Sequence, residues 1–366
     1  MKIICSPEEL TKGINIVSKA VASKTTMPIL ECILITVTDS EIKFTANNTE
    51  LGIETIIQGE IIEPGSIAIK SKVLSEMVRK LPSGSVNIEV DSSLNISVTC
   101  EKTHFNFIGE SGQDFTLLPK VEKEASFMLS QFSLKEGIRQ TIFSISANDA
   151  NPIMTGEYFE IKQDHLRIAS LDGHRIAIRN LELNQTYDSA SFIVPGKTLI
   201  EISKILAGEM DKDITIYYTQ NHILFEFDET KVVSRLIEGE YFKIDQMIFS
   251  DYQTKVTVNK KDLLDCIDRG TLFVKENDKK PIRLEISDEK LDVMIKTLMG
   301  SMQDELEIEK TGKDITICFN PMFLLDALRV IDDEFVEIRF INSKSPCYIC
   351  DNENNYIYLI LPVNYN

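Results

Sequence analysis

One pattern is written three times along this chain. Leu10-x-x-x-Ile14 returns as Leu134-x-x-x-Ile138 and Leu263-x-x-x-Ile267, at offsets of 124 and 129 residues. A Pro-Ile pair keeps the same two offsets at Pro28-Ile29, Pro152-Ile153 and Pro281-Ile282. Leu74, Leu199 and Leu324 form a third series. The period is far longer than the roughly 20–50 residues of a solenoid unit. It is long enough for each copy to bury its own core, since domains run about 100–200 residues. The 366 residues therefore divide into three tandem domains, 1–122, 123–250 and 251–366. Three copies of one domain suggest a quasi-symmetric scaffold, not a single catalytic cleft.

Each copy opens with a short strand, at Met1 to Cys5, Ser126 to Leu129 and Val256 to Val258. A helix follows. Its apolar positions are Leu10, Ile14, Val17 and Val21 in the first copy, and Leu134, Ile138 and Ile142 in the second. Ser6-Pro7-Glu8-Glu9 is a helix start, with Ser as cap, Pro at the first position and acids in the first turn. A second helix carries Leu74, Met77 and Leu81, with equivalents Leu199, Ile202, Leu206 and Leu324, Leu328, Ile331. Alternating runs such as Val86/Ile88/Val90, a turn at Asp91-Ser92-Ser93 and a return as Leu94/Ile96/Val98 read as hairpins. The expected fold is α+β, each copy having two helices on one face of antiparallel sheets of roughly eight strands. Linkers are expected near Pro119–Glu124 and Ser250–Thr254.

Met1–Cys5 is too short an apolar run for a signal peptide. No stretch reaches the roughly 18 apolar residues of a membrane span. Seven cysteines without an export signal fit free thiols in a reducing cytoplasm. The net charge of −18 argues against simple nucleic-acid binding. A total is not a distribution, however, and an acidic exterior can coexist with a basic strip. The helices hold many of the cations, among them Lys12, Lys19, Lys72, Arg79 and Lys80 in the first copy. Lys135, Arg139, Lys197 and Lys204 follow in the second; Lys260, Lys261, Arg269 and Arg329 in the third. Solvated helix faces would explain any one of these sets.

Asp172-Gly173-His174-Arg175 admits a hydrolase-type reading, with His174 as general base beside Asp172. The plainer reading is a strand-turn-strand with Gly at the tight position. Cys347-Tyr348-Ile349-Cys350 lies in a strand pattern, where residues three apart face opposite sides, which opposes metal binding. Asp351–Asn355 lacks the calcium-loop pattern and reads as a hairpin turn. No phosphate-binding glycine motif occurs. No metal, cofactor or nucleotide site is expected.

Four segments resemble the bacterial DNA polymerase III beta subunit, or sliding clamp, family. They are Thr26-Met27-Pro28-Ile29-Leu30, Ser170 to Ala177 around Asp172-Gly173-His174-Arg175, Ile193-Val194-Pro195-Gly196-Lys197, and Leu361-Pro362-Val363. The resemblance covers the whole chain. It implies a head-to-tail homodimeric ring of six domains around duplex DNA, touched through its phosphates without sequence readout. Lys24, Lys72 and Lys197 match family residues near DNA. The loop Asn148-Asp149-Ala150-Asn151 lacks the basic or aromatic residue common there. A pocket for client peptides is implied at Met154, Leu171, Gly173, His174, Arg175, Ile176, Met247, Leu359, Leu361, Pro362 and Val363. Phe242 joins this set in place of the usual Pro, and Asn364 replaces a common basic residue. Phe105 and Phe107 match one side of the ring seam; Leu272 and Phe273 match the other. Implied partners are the replicative polymerase, a separate ATP-driven clamp loader and other proteins bearing clamp-binding motifs, with no membrane. The implied activity is that of a non-enzymatic processivity factor.

Overall fold

The computed structural model describes residues 1–366 apart from 23, 149, 249–250, 275–280, 352–354 and 364–366. Six α-helices are described, two in each copy: α1 (Pro7–Val17), α2 (Ser71–Val78), α3 (Gln131–Arg139), α4 (Gly196–Ser203), α5 (Lys260–Thr271) and α6 (Pro321–Val330). Their starts follow the sequence signals. The Ser6 hydroxyl accepts from the Glu9 amide at 3.2 Å, with Pro7 in the first turn. Asn259 and Asn320 cap α5 and α6 in the same way.

Their ends fall short of the apolar periodicity. Val21 is extended, because the chain tightens into a 3₁₀ turn over Ser18–Ala20 after α1. Ile142 likewise sits in a separate 3₁₀ turn after α3. Tightened turns satisfy the last carbonyls while still burying an apolar residue, so the period outlasts the helix. Leu81 lies beyond α2 for another reason: Pro82 disfavours helical geometry in the residue before it.

The chain packs as two compact units that do not coincide with the three copies. One is residues 1–132 with 204–236; the other is 133–203 with 237–366. Among the described residues, the first unit holds a five-stranded and a nine-stranded sheet, the second a seven-stranded and a four-stranded one. The central copy is shared between the units by strand pairing. Its strand Thr230–Arg235 lies antiparallel to Leu51–Ile57, and the Thr55 and Thr230 hydroxyls meet at 2.9 Å. Its strand Arg175–Pro195 pairs with Tyr356–Ile360. The strand total per copy also departs from the expected eight. In the central copy Gly156–Leu171 and Arg175–Pro195 are long, bulged strands that each replace two. Leu94 does not start a returning strand. It sits in the turn at φ +65°, where Asp91 Oδ1 accepts from the Ser93 and Asn95 amides.

Two cores meet along the seven-stranded sheet. Cys347 belongs to the larger one, with Leu263, Ile267, Leu324 and Leu328. Cys350 belongs to the other, with Leu171, Ile176, Tyr241 and Leu359. Residues three apart in a strand thus serve opposite faces, and burial pushes both thiols up, Cys350 to about 11. A carboxyl is also enclosed in this unit. Glu157 is fully buried, and burial holds its pKa well above the ordinary range. The Thr141 hydroxyl lies 2.7 Å from both Glu157 Oε1 and the Gly137 carbonyl. The Thr141 hydroxyl can donate to either oxygen, and toward Glu157 it partly offsets the effect of burial.

Candidate functional site

The segment Asp172–Arg175 is a hairpin turn between the two long strands, with Gly173 at φ +87°. A residue bearing Cβ is strained in that conformation, although a Cβ here would meet nothing within 4 Å. Asp172 Oδ1 accepts from the His174 and Arg175 amides, at 2.9 and 3.2 Å. Its Oδ2 accepts from Arg175 Nε at 2.9 Å. The carboxylate therefore serves the turn and the guanidinium, while the His174 ring stacks toward Phe323 at 6.4 Å. This geometry does not assemble an Asp–His acid–base pair.

Arg175 is only 8% exposed. It donates to Asp326 Oδ2 and to the Phe143 carbonyl, each at 2.5 Å, and its guanidinium lies 4.3 Å from the Phe323 ring centre. Burial opposes its charge, but Tyr358, Asp326 and Asp172 hold the proton more firmly than in an ordinary arginine. The side chain thus ties the turn to α6 and to the 3₁₀ turn at Ile142–Ser144.

Beside this turn lies a cavity of about 360 Å³. Ten of the sequence-named residues line it: Met154, Leu171, Gly173, His174, Arg175, Ile176, Phe242, Met247, Leu359 and Leu361. The walls are mostly apolar, and His174 and Arg175 are among the polar residues that line them. Leu361 is 39% exposed, and its amide donates to the His174 carbonyl at 2.9 Å. Pro362 and Val363 are not among the lining residues. The final strand ends at Ile360, and the Val363 amide turns instead to the Cys318 carbonyl at 2.8 Å. Asn364 falls outside the described residues.

Gln246 and Pro346 also line the cavity, although nothing in the sequence singles them out. Gln246 closes the short 3₁₀ turn Ile244–Gln246, and the Tyr348 hydroxyl fixes the adjoining Met247 carbonyl at 3.1 Å. Neither position carries a periodic or motif signal. Phe242 is braced from behind. It meets Tyr241 edge-on at 5.7 Å, and Tyr241 stacks on Tyr158 at 4.8 Å.

The remaining named residues lie elsewhere. Lys24, Lys72 and Lys197 are all exposed, the first in a loop, the others on α2 and α4. The 148–151 loop contains residue 149, which lies outside the described residues. Phe105 and Phe107 are half-buried on Thr103–Ile108, an edge of the five-stranded sheet. Leu272 is 77% exposed just after α5, and Phe273 beside it packs on Gly300.

Family models for the N-terminal, central and C-terminal domains of the DNA polymerase III beta subunit match residues 1–119, 128–243 and 245–364. The chain is 32% identical to the beta sliding clamp of Bacillus subtilis, over 99% of both chains. A crystal structure described as a putative DNA polymerase III beta subunit from Eubacterium rectale is 60% identical, with a TM-score of 0.96 and full coverage of both chains. The Bacillus subtilis sliding clamp structure superposes with a TM-score of 0.95 at 30% identity, again over both chains entirely. A repeated domain of two helices and antiparallel sheets, matched in all three copies, makes this chain a member of the DNA polymerase III beta subunit family.

Proposed function

We propose that this protein is a DNA sliding clamp. Two copies close head to tail into a ring around duplex DNA, and the ring tethers a replicative polymerase and other clients. It catalyses no reaction. It works in the cytoplasm, and among the described residues no helix is long and apolar enough to cross a membrane. Holding a polymerase on the template makes its rebinding intramolecular, at high effective concentration. A separate ATP-driven loader opens the ring.

The observation that carries the ring is a pair of open sheet edges. Thr103–Ile108 ends the five-stranded sheet, with Phe105 and Phe107 half-buried and Ile108 exposed. Ser301–Glu307 ends the four-stranded sheet, near exposed Leu272, Leu298 and Met299. Unprotected edges beside apolar patches are ready-made for pairing with another chain. Two different patches give a heterologous contact, which forms a closed ring when the rotation closes. The repeating units of that ring are the copies 1–122, 123–250 and 251–366.

Lys24, Lys72 and Lys197 supply loose phosphate contacts suited to sliding. The cavity at the Asp172–Arg175 turn receives apolar anchors from flexible client tails. His174 and the nearby backbone orient the tail, and Phe242 narrows one wall. The test is topological. Loaded onto nicked circular DNA, the dimer should stay bound through gel filtration and be lost after the circle is linearised. Equal retention on both forms would contradict encirclement.

A further inference from the structure

We infer that the grip on duplex DNA is uneven: α2 of the first copy carries phosphate-binding cations, while the arginines on the helices of the third copy are neutralised from within. This rests on the sliding-clamp reading and specifies which helices hold the DNA.

The charges differ first in number. Residues 71–80, spanning α2 and its end, hold three cations, Lys72, Arg79 and Lys80, against one acid, Glu76. Residues 260–271, spanning α5, hold three cations against three acids. Residues 321–334, from α6 onward, hold Arg329 alone against four acids.

They differ again in what each cation touches. Lys72, Arg79 and Lys80 are exposed, and among the described residues none has an ion-pair partner. Lys72 and Arg79 are seven positions apart, so they share a helix face, opposite buried Leu74, Met77 and Val78. In the third copy Arg269 pairs with Asp304, and Arg329 with Asp268 at 3.3 Å. Lys260 keeps its charge but is held by the Ile331 carbonyl at 2.8 Å, which leaves Lys261 as the exposed lysine of α5. Arg139, at the end of α3, is held by Glu136 and by Asp332 of the third copy, at 2.5 and 2.7 Å.

A cation already facing a carboxylate draws little further energy from a phosphate, and the carboxylate repels the DNA it would approach. A free cation releases condensed counterions from the duplex, and each phosphate so neutralised adds about 0.9 to the slope of log K against log salt. The overall charge of −18 sharpens the contrast, because any net-positive face stands out against an acidic protein.

The experiment is a salt titration of full-length dimer binding to a short fluorescent duplex, followed by anisotropy. The triple variant Lys72→Ala, Arg79→Ala, Lys80→Ala should bind more weakly, with the slope reduced by about 0.9 for each phosphate left without its cation. Arg269→Ala with Arg329→Ala should leave affinity and slope unchanged. Equal weakening by the two sets would overturn the inference. A gain of function guards against simple misfolding. Asp304→Asn with Asp268→Asn frees two arginines and should tighten binding and steepen the slope. An equal gain from Glu182→Gln, an exposed acid outside the helices, would assign the effect to net charge and overturn the inference. Failure of the unaltered dimer to remain on nicked circular DNA would instead remove the clamp reading on which this rests.

Discussion

Each copy has a capped hairpin turn in an equivalent place, at 48–51, 172–175 and 297–300, and only one became a pocket corner. In the first copy Asn48 Oδ1 accepts from the Glu50 and Leu51 amides. In the second, Asp172 Oδ1 accepts from His174 and Arg175. In the third, Thr297 Oγ1 accepts from Met299. The backbone bond from the first residue to the fourth is also shared: Asn48 to Leu51, Asp172 to Arg175, Thr297 to Gly300. What changes is the fourth residue. Leu51 is a buried apolar side chain, Gly300 has none, and Arg175 is a buried cation bonded to Asp172, Asp326 and the Phe143 carbonyl. Local capping makes the turn, and a long-range polar network fixes it at the corner of a cavity.

Removing that network should have the largest effect. Arg175→Ala leaves two carboxylates and a carbonyl without their partner, so it should destabilise the fold by about 3 kcal/mol or more in chemical denaturation. It should also abolish client-peptide binding. A loss below about 1 kcal/mol would mean that the turn in the central copy stands on capping alone, as in its relatives.

Deleting Leu361–Asn366 tests the other wall. The deletion removes Leu361 from the cavity and its bond to His174. Peptide affinity measured by calorimetry should fall at least tenfold, about 1.4 kcal/mol, with the dimer intact by light scattering. Unchanged affinity would place the peptide elsewhere.

Alanine at the second turn position separates the copies further. Gly173→Ala should cost about 1 kcal/mol from backbone strain alone, since a Cβ meets no neighbour there. Thr49, at φ +76°, already bears a Cβ, so Thr49→Ala should change stability by less than about 0.5 kcal/mol. Equal effects would erase the distinction.

The smallest effect lies beneath the turn. Ser170 donates to the Thr141 carbonyl, and the Thr141 hydroxyl donates to the carboxyl of buried Glu157. Folded Glu157 keeps its proton above its ordinary value of 4.5, so its contribution is full below that pH and declines as pH rises. Glu157→Gln should therefore match the parent protein near pH 4 and be the more stable of the two at pH 7–8. The opposite order at high pH would mean that the carboxylate is ionised in the fold.

The parts legible from sequence are those fixed locally. Caps such as Ser6 and Asn259 mark helix starts because the capping atom and its donor lie three residues apart or fewer. The Asp-Gly-His-Arg turn is legible for the same reason. Helix ends are less legible, since a 3₁₀ turn buries the next apolar residue as well as a helix does. Gln246 and Pro346 escape a sequence reading because their places depend on Tyr348 and Met247, about a hundred residues apart. The sharing of the central copy between two units is hidden too, for it rests on pairing between Leu51–Ile57 and Thr230–Arg235. Three equal repeats do not reveal which strands they lend to their neighbours.

Whether three similar turns yield one binding site is tested most directly by stoichiometry. Titrating the dimer with a client-tail peptide bearing apolar anchors should give one peptide per chain. Leu171→Asp, in the cavity wall, should abolish that binding. Three peptides per chain, or binding that survives Leu171→Asp, would contradict the assignment of the site to the cavity beside the Asp172–Arg175 turn.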